Sequence, residues 1–569
     1  VLDNYGPSHP VSLEEHTSKY RIPGETFLDV CNRVSAVLAD DESHRRDFRM
    51  TLLHMNFMPA GRVQRAIGSP LAVTPYNCFV SGTVEDDSSI IFDRVKEAFV
   101  TMRAGGGIGY DFSSLRPRGA LIKSLNSTAS GAVSFMEPFD ATCRTVRSAG
   151  GRRGAQMGVL RVDHPDIEEF VAAKQNSDRL TAFNISVGIT DEFMAAVKAD
   201  TTFDLRFNGQ VYKTVSALAL WNSIMRATWD WAEPGVLFID RINEMNNLYY
   251  CETITATNPC AEQPLPPYGA CLLGSFNLTQ YIRTAAAGRF FDYEAFRSDI
   301  PGVVRAMDNI VGVATYPLPQ QAEEARNKRR MGLGVTGTAN AIEALGATYG
   351  SPEYIEIQSQ ILTVLRDECY RASALLAKEK GPFPLFDRDK YLAGKFIQTL
   401  PEDIRALIAE YGIRNSHLIS IAPTGTISLS ADNISSAIEP VFSYTQERTI
   451  INEDGVTTRL VKLTDYGVEK FNVKGRRADD LLVQEHLAVL INAQKFVDSS
   501  ISKTCNVGEK VGFEEFKKIY EDAFDGGAKG CTTFRAAGKR FGILVATDET
   551  TPDLIACFID PDTGNKTCE

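Results

Sequence analysis

Apolar positions along the chain recur with two different periods. Phe27, Val30, Val34 and Leu38 stand at helical spacing, which predicts a short helical region over residues 1–55, with a charged second helix from about 43. Between Ser88 and Arg103 an amphipathic pattern opens on Ser88-Ser89, which can cap a helix, and stops at Gly105. The same spacing predicts helices over 134–149, 216–230, 294–314, 353–379 and 481–502. Short apolar runs such as 184–189 lie between them and predict strands. Helices and strands that alternate in this way indicate an α/β architecture. After 545 the pattern gives way to Thr, Asp, Pro and Gly, so 546–569 reads as an extended tail.

Composition narrows the classes. Of 569 residues, 44% are apolar and 23% charged, as in soluble globular proteins. No apolar run approaches the roughly 20 residues that span a bilayer, and the first residues lack the basic and apolar regions of a signal peptide. A cytoplasmic protein without a membrane partner is expected. The net charge of −12 argues against a nucleic acid polymer as partner. The clusters Arg152-Arg153 and Lys328-Arg329-Arg330 suit the individual phosphates of free nucleotides, or else form solvated faces. The 11 cysteines show no CxxC pairs, so no metal site is expected. Cys31, Cys143, Cys251, Cys369, Cys505 and Cys531 read as small core hydrophobes.

Chemistry concentrates in Asn258-Pro259-Cys260-Ala261-Glu262, where an amide, a thiol and a carboxyl alternate around a proline that excludes a regular helix interior. If the segment is extended, all three side chains point the same way. Cys271 follows across Pro264, Pro266, Pro267 and Gly269, a stretch suited to a tight loop that returns a second sulfur. Pro423, Thr424, Gly425, Thr426, Ile427 and Ser428 offer hydroxyls and backbone N–H groups for a phosphate cradle, although such a run is also an ordinary turn. The glycine run at 105–109 lacks the spacing of a dinucleotide fingerprint.

The segment from Asn258 to Thr279 resembles the active-site loop of ribonucleotide reductases, and its Asn-Pro-Cys form is similar to the adenosylcobalamin-dependent class II enzymes. Further motifs carry the resemblance: FMPAGR at 57–62, NCFVSGTVED at 77–86, GGGIGYDFSSLRPRG at 105–119, SGAVSFMEPFD at 130–140, GGRRGAQMGVLRVDHPDIEEF at 150–170, RRMGLGVTG at 329–337 and APTGTISL at 422–429. It implies a ten-stranded α/β barrel over 56–545, built from two antiparallel sets of five parallel strands, with a central finger loop. With only a short helical region before the barrel, the additional ATP-binding domain of many members is not expected in these residues.

By the resemblance, Cys260 carries a thiyl radical, Glu262 is the general base for the 3′-hydroxyl of a ribonucleotide substrate, and Asn258 orients that hydroxyl. Cys78 and Cys271 match the reducing pair, which must therefore meet in space, and Asn77 contributes a polar contact. The loop at 423–428 matches the substrate-phosphate loop. Asp86 and Arg116 match contacts to a deoxynucleotide effector at a homodimer interface, with 119–127 and 150–156, including Arg152, Arg153 and Gln156, as its two loops. Asp86 also reads as the cap of the helix beginning at Ser88. Cys557 and Cys568 are candidates for a tail shuttle fed by thioredoxin or glutaredoxin.

The radical source separates classes within the family. A glycyl-radical loop is absent, and the position of a paired tyrosine relay holds Thr532, Thr533 and Phe534, while Tyr249-Tyr250 lies on the wrong side of the cysteine. Adenosylcobalamin is therefore the expected cofactor, without a local DxHxxG motif to mark it. A class I catalytic subunit, an inactive nucleotide-binding regulator on the same fold and a sugar-phosphate lyase on a related radical barrel stand as alternatives.

Overall fold

A computed structural model describes residues 5–146, 154–175, 179–451 and 458–535, together with the backbone of 557–559 and 566–568. Ten strands form one mixed sheet. In chain order they are β1 (Phe57–Pro59), β2 (Cys78–Val80), β3 (Gly107–Asp111), β4 (Gln156–Arg161), β5 (Phe183–Ile189), β6 (Gly235–Phe238), β7 (Ala270–Asn277), β8 (Met331–Thr336), β9 (Thr504–Val507) and β10 (Gly530–Arg535). β2 to β6 run parallel in sequence order. β7 and β8 are parallel to each other, as are β9 and β10. The two groups meet antiparallel, β2 against β7 and β6 against β10, and β1 also lies antiparallel on β7.

Backbone hydrogen bonds carry the pattern beyond β8. Leu333 N donates to Leu418 O and Ser420 N to Leu333 O; Ile421 N donates to Ser500 O and Ser502 N to Ile421 O. Leu333 and Ile419, and Ile421 and Ile501, are parallel bridge partners. Residues 499–502 are therefore extended, which corrects the helix expected over 481–502. That helix runs from Val483 to Gln494, because the amides of Ser499 and Ser502 find acceptors in Ile419 O and Ile421 O, and that of Ser500 in Glu262 O.

β7 and β8 are buried at every position, and β5 at all but Asn184. Strands covered on both faces read as continuous apolar runs rather than alternating ones. The helices supply the cover. Phe27–Leu38, Ser88–Arg103, Ala217–Trp231, Tyr293–Val313 and Pro352–Lys380 lie where periodicity places them, and Ala132–Thr145 ends short of the expected 149, at an extended Val146. The cap of Ser88–Arg103 is Asp87, which accepts from Ser89 N and Ile90 N, so neither Ser88 nor Asp86 serves. An additional helix, Pro10–Tyr20, precedes the expected pair. One apolar core runs from Val30 to Cys531, so the helices Phe27–Leu38 and Glu42–Leu53 share the core of the sheet, while Val11 of Pro10–Tyr20 lies in a small separate cluster with Leu429 and Leu463. Among the described residues, no helix is long and apolar enough to cross a membrane.

Candidate active site

Two-residue strands, Ala256–Thr257 and Pro264–Leu265, pair antiparallel and present 258–263 as the tip of a hairpin. The tip is a turn, not the extended run expected from alternation. Asn258 N donates to Gln263 O and Ala261 N to Asn258 O, both at 3.1 Å, and Ala261 takes φ 66°. The chain must reverse within six residues, so the side chains converge by curvature rather than by strand period.

Close approach to the sheet depends on a glycine. A Cβ on Gly109 in β3 would lie 1.7 Å from Thr257 O, so the hairpin can rest there only over a residue without a side chain. Asn184 Nδ2 in β5 donates to Pro259 O at 3.1 Å. On the other side Ser420 Oγ (2.9 Å) and Ser500 N (3.0 Å) both donate to Glu262 O. The tip is thereby fastened to both groups of strands.

Cys78 and Cys271 are direct register partners across β2 and β7. Both are buried, and neither forms a disulfide. Asn258 Nδ2 donates to Cys78 Sγ at 3.2 Å, and Cys78 Sγ lies 3.6 Å from Glu262 Oε1. Asn258 Oδ1 meanwhile accepts from Gln263 N at 2.9 Å, which fixes the amide's orientation. Glu262 is 2% exposed, and its Oε2 has no hydrogen-bond partner. Burial pushes its carboxyl above the ordinary range, against the opposing hydrogen bonds from Asn258 and Cys78. Burial raises the Cys78 thiol strongly, and the facing Glu262 carboxylate adds to this; burial also raises Cys271, with Arg330 acting in the opposite sense. Cys260 alone of the set is exposed. Asn77 is half-buried with Oδ1 unpartnered.

The segment 417–421 leads directly into the candidate phosphate loop. Gly425–Ser430 is a short helix, capped at Thr424 with φ 55°. Thr424 Oγ1 and Ser428 Oγ meet Thr336 Oγ1 at 2.9 and 2.7 Å, and Ala437 N donates to Thr424 Oγ1 at 2.7 Å. These two hydroxyls therefore shape the loop. Ile427 packs against Met58, Ala431 and Ile434. Pro423, Gly425 and Thr426 are half-buried.

The candidate effector residues fall differently. Arg116 Nε and Asp86 Oδ2 pair at 2.7 Å. Leu121–Ile122 and Ser127–Thr128 form an exposed hairpin. Gln156 is buried, its Oε1 accepting from Tyr110 OH at 2.7 Å and its Nε2 donating to Phe139 O at 3.2 Å, so its amide serves the interior. Arg152 and Arg153 lie outside the described residues. Cys557 stands opposite Cys568 in a backbone register between Cys557–Ile559 and Lys566–Cys568.

Two expectations about charged and sulfur groups change. Lys328 and Arg330 are buried and share Glu252, at 2.8 and 2.5 Å, while Arg329 pairs with Asp308 at 2.8 Å. The cluster is thus neither a solvated face nor a free phosphate site, and the partners, remote in sequence, gave no local signal. Cys251 is exposed, whereas Cys31, Cys143, Cys369, Cys505 and Cys531 are buried as expected. Tyr249 and Tyr250 donate to Lys390 O and Leu385 O, both at 3.0 Å. Asn184, Ser420, Ser500 and Thr336 were not legible as site residues, although the GxG spacing of β3 is a trace of the close approach.

The family model for the barrel domain of ribonucleotide reductase matches residues 76–534. A vitamin B12-dependent ribonucleoside-diphosphate reductase of Thermoplasma acidophilum is 32% identical over 536 residues, covering 88% of this chain and 66% of that protein. One of Mycobacterium tuberculosis is 34% identical over 527 residues, covering 87% of this chain and 72% of its own length. The chain spans about two thirds of the length of these relatives. A ribonucleoside-diphosphate reductase subunit alpha of Chlamydia pneumoniae is 26% identical, over 72% of this chain and 45% of that protein.

Proposed function

The chain belongs to the ribonucleotide reductase family, and from this we propose that it reduces ribonucleoside di- or triphosphates to deoxyribonucleotides by thiyl-radical chemistry with adenosylcobalamin as cofactor. The observation that carries the reading is the convergence of Cys78, Cys271, Asn258 and Glu262 on the hairpin that presents Cys260. A ten-stranded barrel is proposed from β2 to β8, 417–421, 499–507 with β9 as one strand, and β10, with β1 outside the ring and the hairpin as its finger.

The cofactor fits this donor set in one respect: Cys260 is exposed while the other members are buried, so Cys260 and Ala261 at the tip are the residues that would face it. When bound, adenosylcobalamin would supply, by homolysis, the radical to which Cys260 gives up its hydrogen atom. Cys260 then takes the 3′ hydrogen of the substrate and returns it at the end. Glu262 accepts the 3′-hydroxyl proton, a task suited to a carboxylate whose burial makes it more basic. Asn258 orients the hydroxyl. Departure of the 2′-hydroxyl as water needs a proton, and Cys78, held protonated by burial, is the donor beside Glu262. Cys78 and Cys271 give two electrons and two protons, so ribonucleotide and dithiol become deoxyribonucleotide, disulfide and water.

The loop at 423–428 is the proposed seat of the substrate phosphates, and Asp86 and Arg116 of an effector. Phe92, Phe99 and Val100 form an exposed apolar stripe on Ser88–Arg103, and Leu121 and Leu125 are also exposed, which supports a homodimer through this face. The class I alternative is disfavoured by the identity of the relatives and by the engagement of Tyr249 and Tyr250 elsewhere. The test is anaerobic incubation with a ribonucleotide, dithiothreitol and adenosylcobalamin. Deoxynucleotide formed only with the cofactor is expected; formation that requires a separate metal-radical subunit would overturn the assignment.

A further inference from the structure

The two sulfurs of the candidate reducing pair share burial and the Glu262 carboxylate but differ in their other neighbours, Asn258 Nδ2 donating to Cys78 and the Arg330 guanidinium acting on Cys271. Leu272 is the register partner of Met331, so Cys271 and Arg330 are neighbours at the starts of the parallel strands β7 and β8. Arg330 is 3% exposed, and its guanidinium is held rigidly, Nε against His417 Nδ1 at 3.3 Å and one terminal nitrogen on Glu252 Oε1 at 2.5 Å. Burial keeps His417 neutral, so it takes no charge from the cluster. Lys328 divides its charge between Glu252 and Glu324. Cys78 faces the Glu262 carboxylate at 3.6 Å instead.

We propose that Arg330 is a positioning residue that makes the pair asymmetric, so that an incoming thiolate attacks Cys78 and Cys271 leaves as the thiolate. This rests on the reading of Cys78 and Cys271 as the reducing dithiol. Arg330 is the cation beside Cys271; Asp498, Glu262 and Tyr76 also face that sulfur and act against the anion. Asp498 is itself held by Tyr370 OH and by the amides of Leu418 and Ile419, which draws its charge away. When the thiolate of a reductant attacks Cys78, a mixed disulfide forms there, the Cys78–Cys271 bond breaks, and its electron pair stays on Cys271. Exchange is faster when the leaving sulfur is the more stable anion. Attack at Cys271 would instead expel a thiolate against Glu262.

The experiment needs no cofactor. The full chain is oxidised with diamide, which becomes its hydrazine as the two thiols join, and peptide mapping identifies the Cys78–Cys271 disulfide. It is then opened with 2-mercaptoethanol in the presence of iodoacetamide. The expected product carries mercaptoethanol on Cys78 and a carbamidomethyl group on Cys271. Arg330→Gln is combined with Glu252→Gln, so that no buried carboxylate is left alone. That double variant should open the disulfide about tenfold more slowly at neutral pH, with the rate profile displaced to higher pH and the adduct shared between the two cysteines. Arg330→Lys and Glu252→Gln alone should keep the adduct on Cys78. Adduct on Cys271 in the parent, or unchanged rate and adduct site in a double variant with the parent's circular dichroism spectrum, would overturn the proposal while leaving the dithiol reading intact. Failure of Cys78 and Cys271 to join at all would sink both.

Discussion

Glu262 is buried with one carboxylate oxygen unpartnered, a costly state for a charge and a useful one for a base. Its raised pKa means that the folded chain binds a proton more readily than the unfolded chain, so the group lowers stability as pH rises from the unfolded value through the folded one. Glu262→Gln should therefore gain thermal stability relative to the parent at neutral and alkaline pH, while losing about 10²–10⁴-fold in kcat. Parallel melting and turnover measurements check both, and a less stable Gln variant at pH 8 would contradict the burial argument. Cysteine substitutions divide the roles further. Cys260→Ser should abolish both deoxynucleotide formation and hydrogen exchange at the cofactor's 5′ carbon, because an oxygen radical is much harder to form. Cys78→Ser and Cys271→Ser should retain the exchange and lose sustained reduction; equal loss of exchange in all three would reject the division. Asn258, Cys260 and Glu262 stood out in the sequence because an Asn, a Cys and a Glu are packed into five positions, whereas Cys78 came only with the family resemblance. Arg330 stood out only as part of a candidate phosphate cluster, because its place beside Cys271 and its pairing with Glu252 come from burial that no local pattern reports.

At the scale of elements, periodicity located the long helices well because each buries a continuous apolar stripe on one core. It failed where backbone partners decide the conformation. Residues 499–502 carry helix-compatible spacing, yet their amides bond to Ile419, Glu262 and Ile421, and the chain is extended. For 258–262 the sequence offered convergence only on the condition that the segment is extended, and the structure makes it a turn instead, since a two-residue strand pair leaves no period to detect. Its seat on β3 is open to a direct test. Gly109→Ala places a methyl 1.7 Å from Thr257 O, and backbone cannot yield as a flexible side chain can. The variant should lose turnover by at least about tenfold through displacement of Cys260, a shift of roughly 1 Å being enough for far larger losses. Gly312→Ala, near the end of Tyr293–Val313 with nothing within 4 Å of the added carbon, should leave turnover unchanged. Comparable activity in Gly109→Ala and the parent would show that the hairpin does not rest where the geometry puts it.

For the whole molecule, the order of strands was beyond the reach of periodicity, because hydrogen bonds between segments as distant as β6 and β10 leave no repeat in the sequence. The resemblance supplied the topology, and the observed parallel groups with their antiparallel seams agree with it as far as the sheet extends. The same scale governs how electrons reach the centre. Cys78 and Cys271 are 3% and 0% exposed, so a disulfide between them lies out of reach of a protein reductant's surface thiols. A dithiol on the same chain can reach inward by exchange through a mixed disulfide. The backbone register sets Cys557 opposite Cys568, the placement that a working dithiol would need. Replacing both, Cys557→Ser with Cys568→Ser, should therefore lower thioredoxin-driven turnover to the single round that the pre-reduced centre allows. With dithiothreitol, small enough to enter, turnover should stay within about twofold of the parent, since exchange depends on access as well as on thiolate fraction. Multiple turnovers with thioredoxin in the doubly substituted chain would remove the tail from the electron path and place the entry point on another surface.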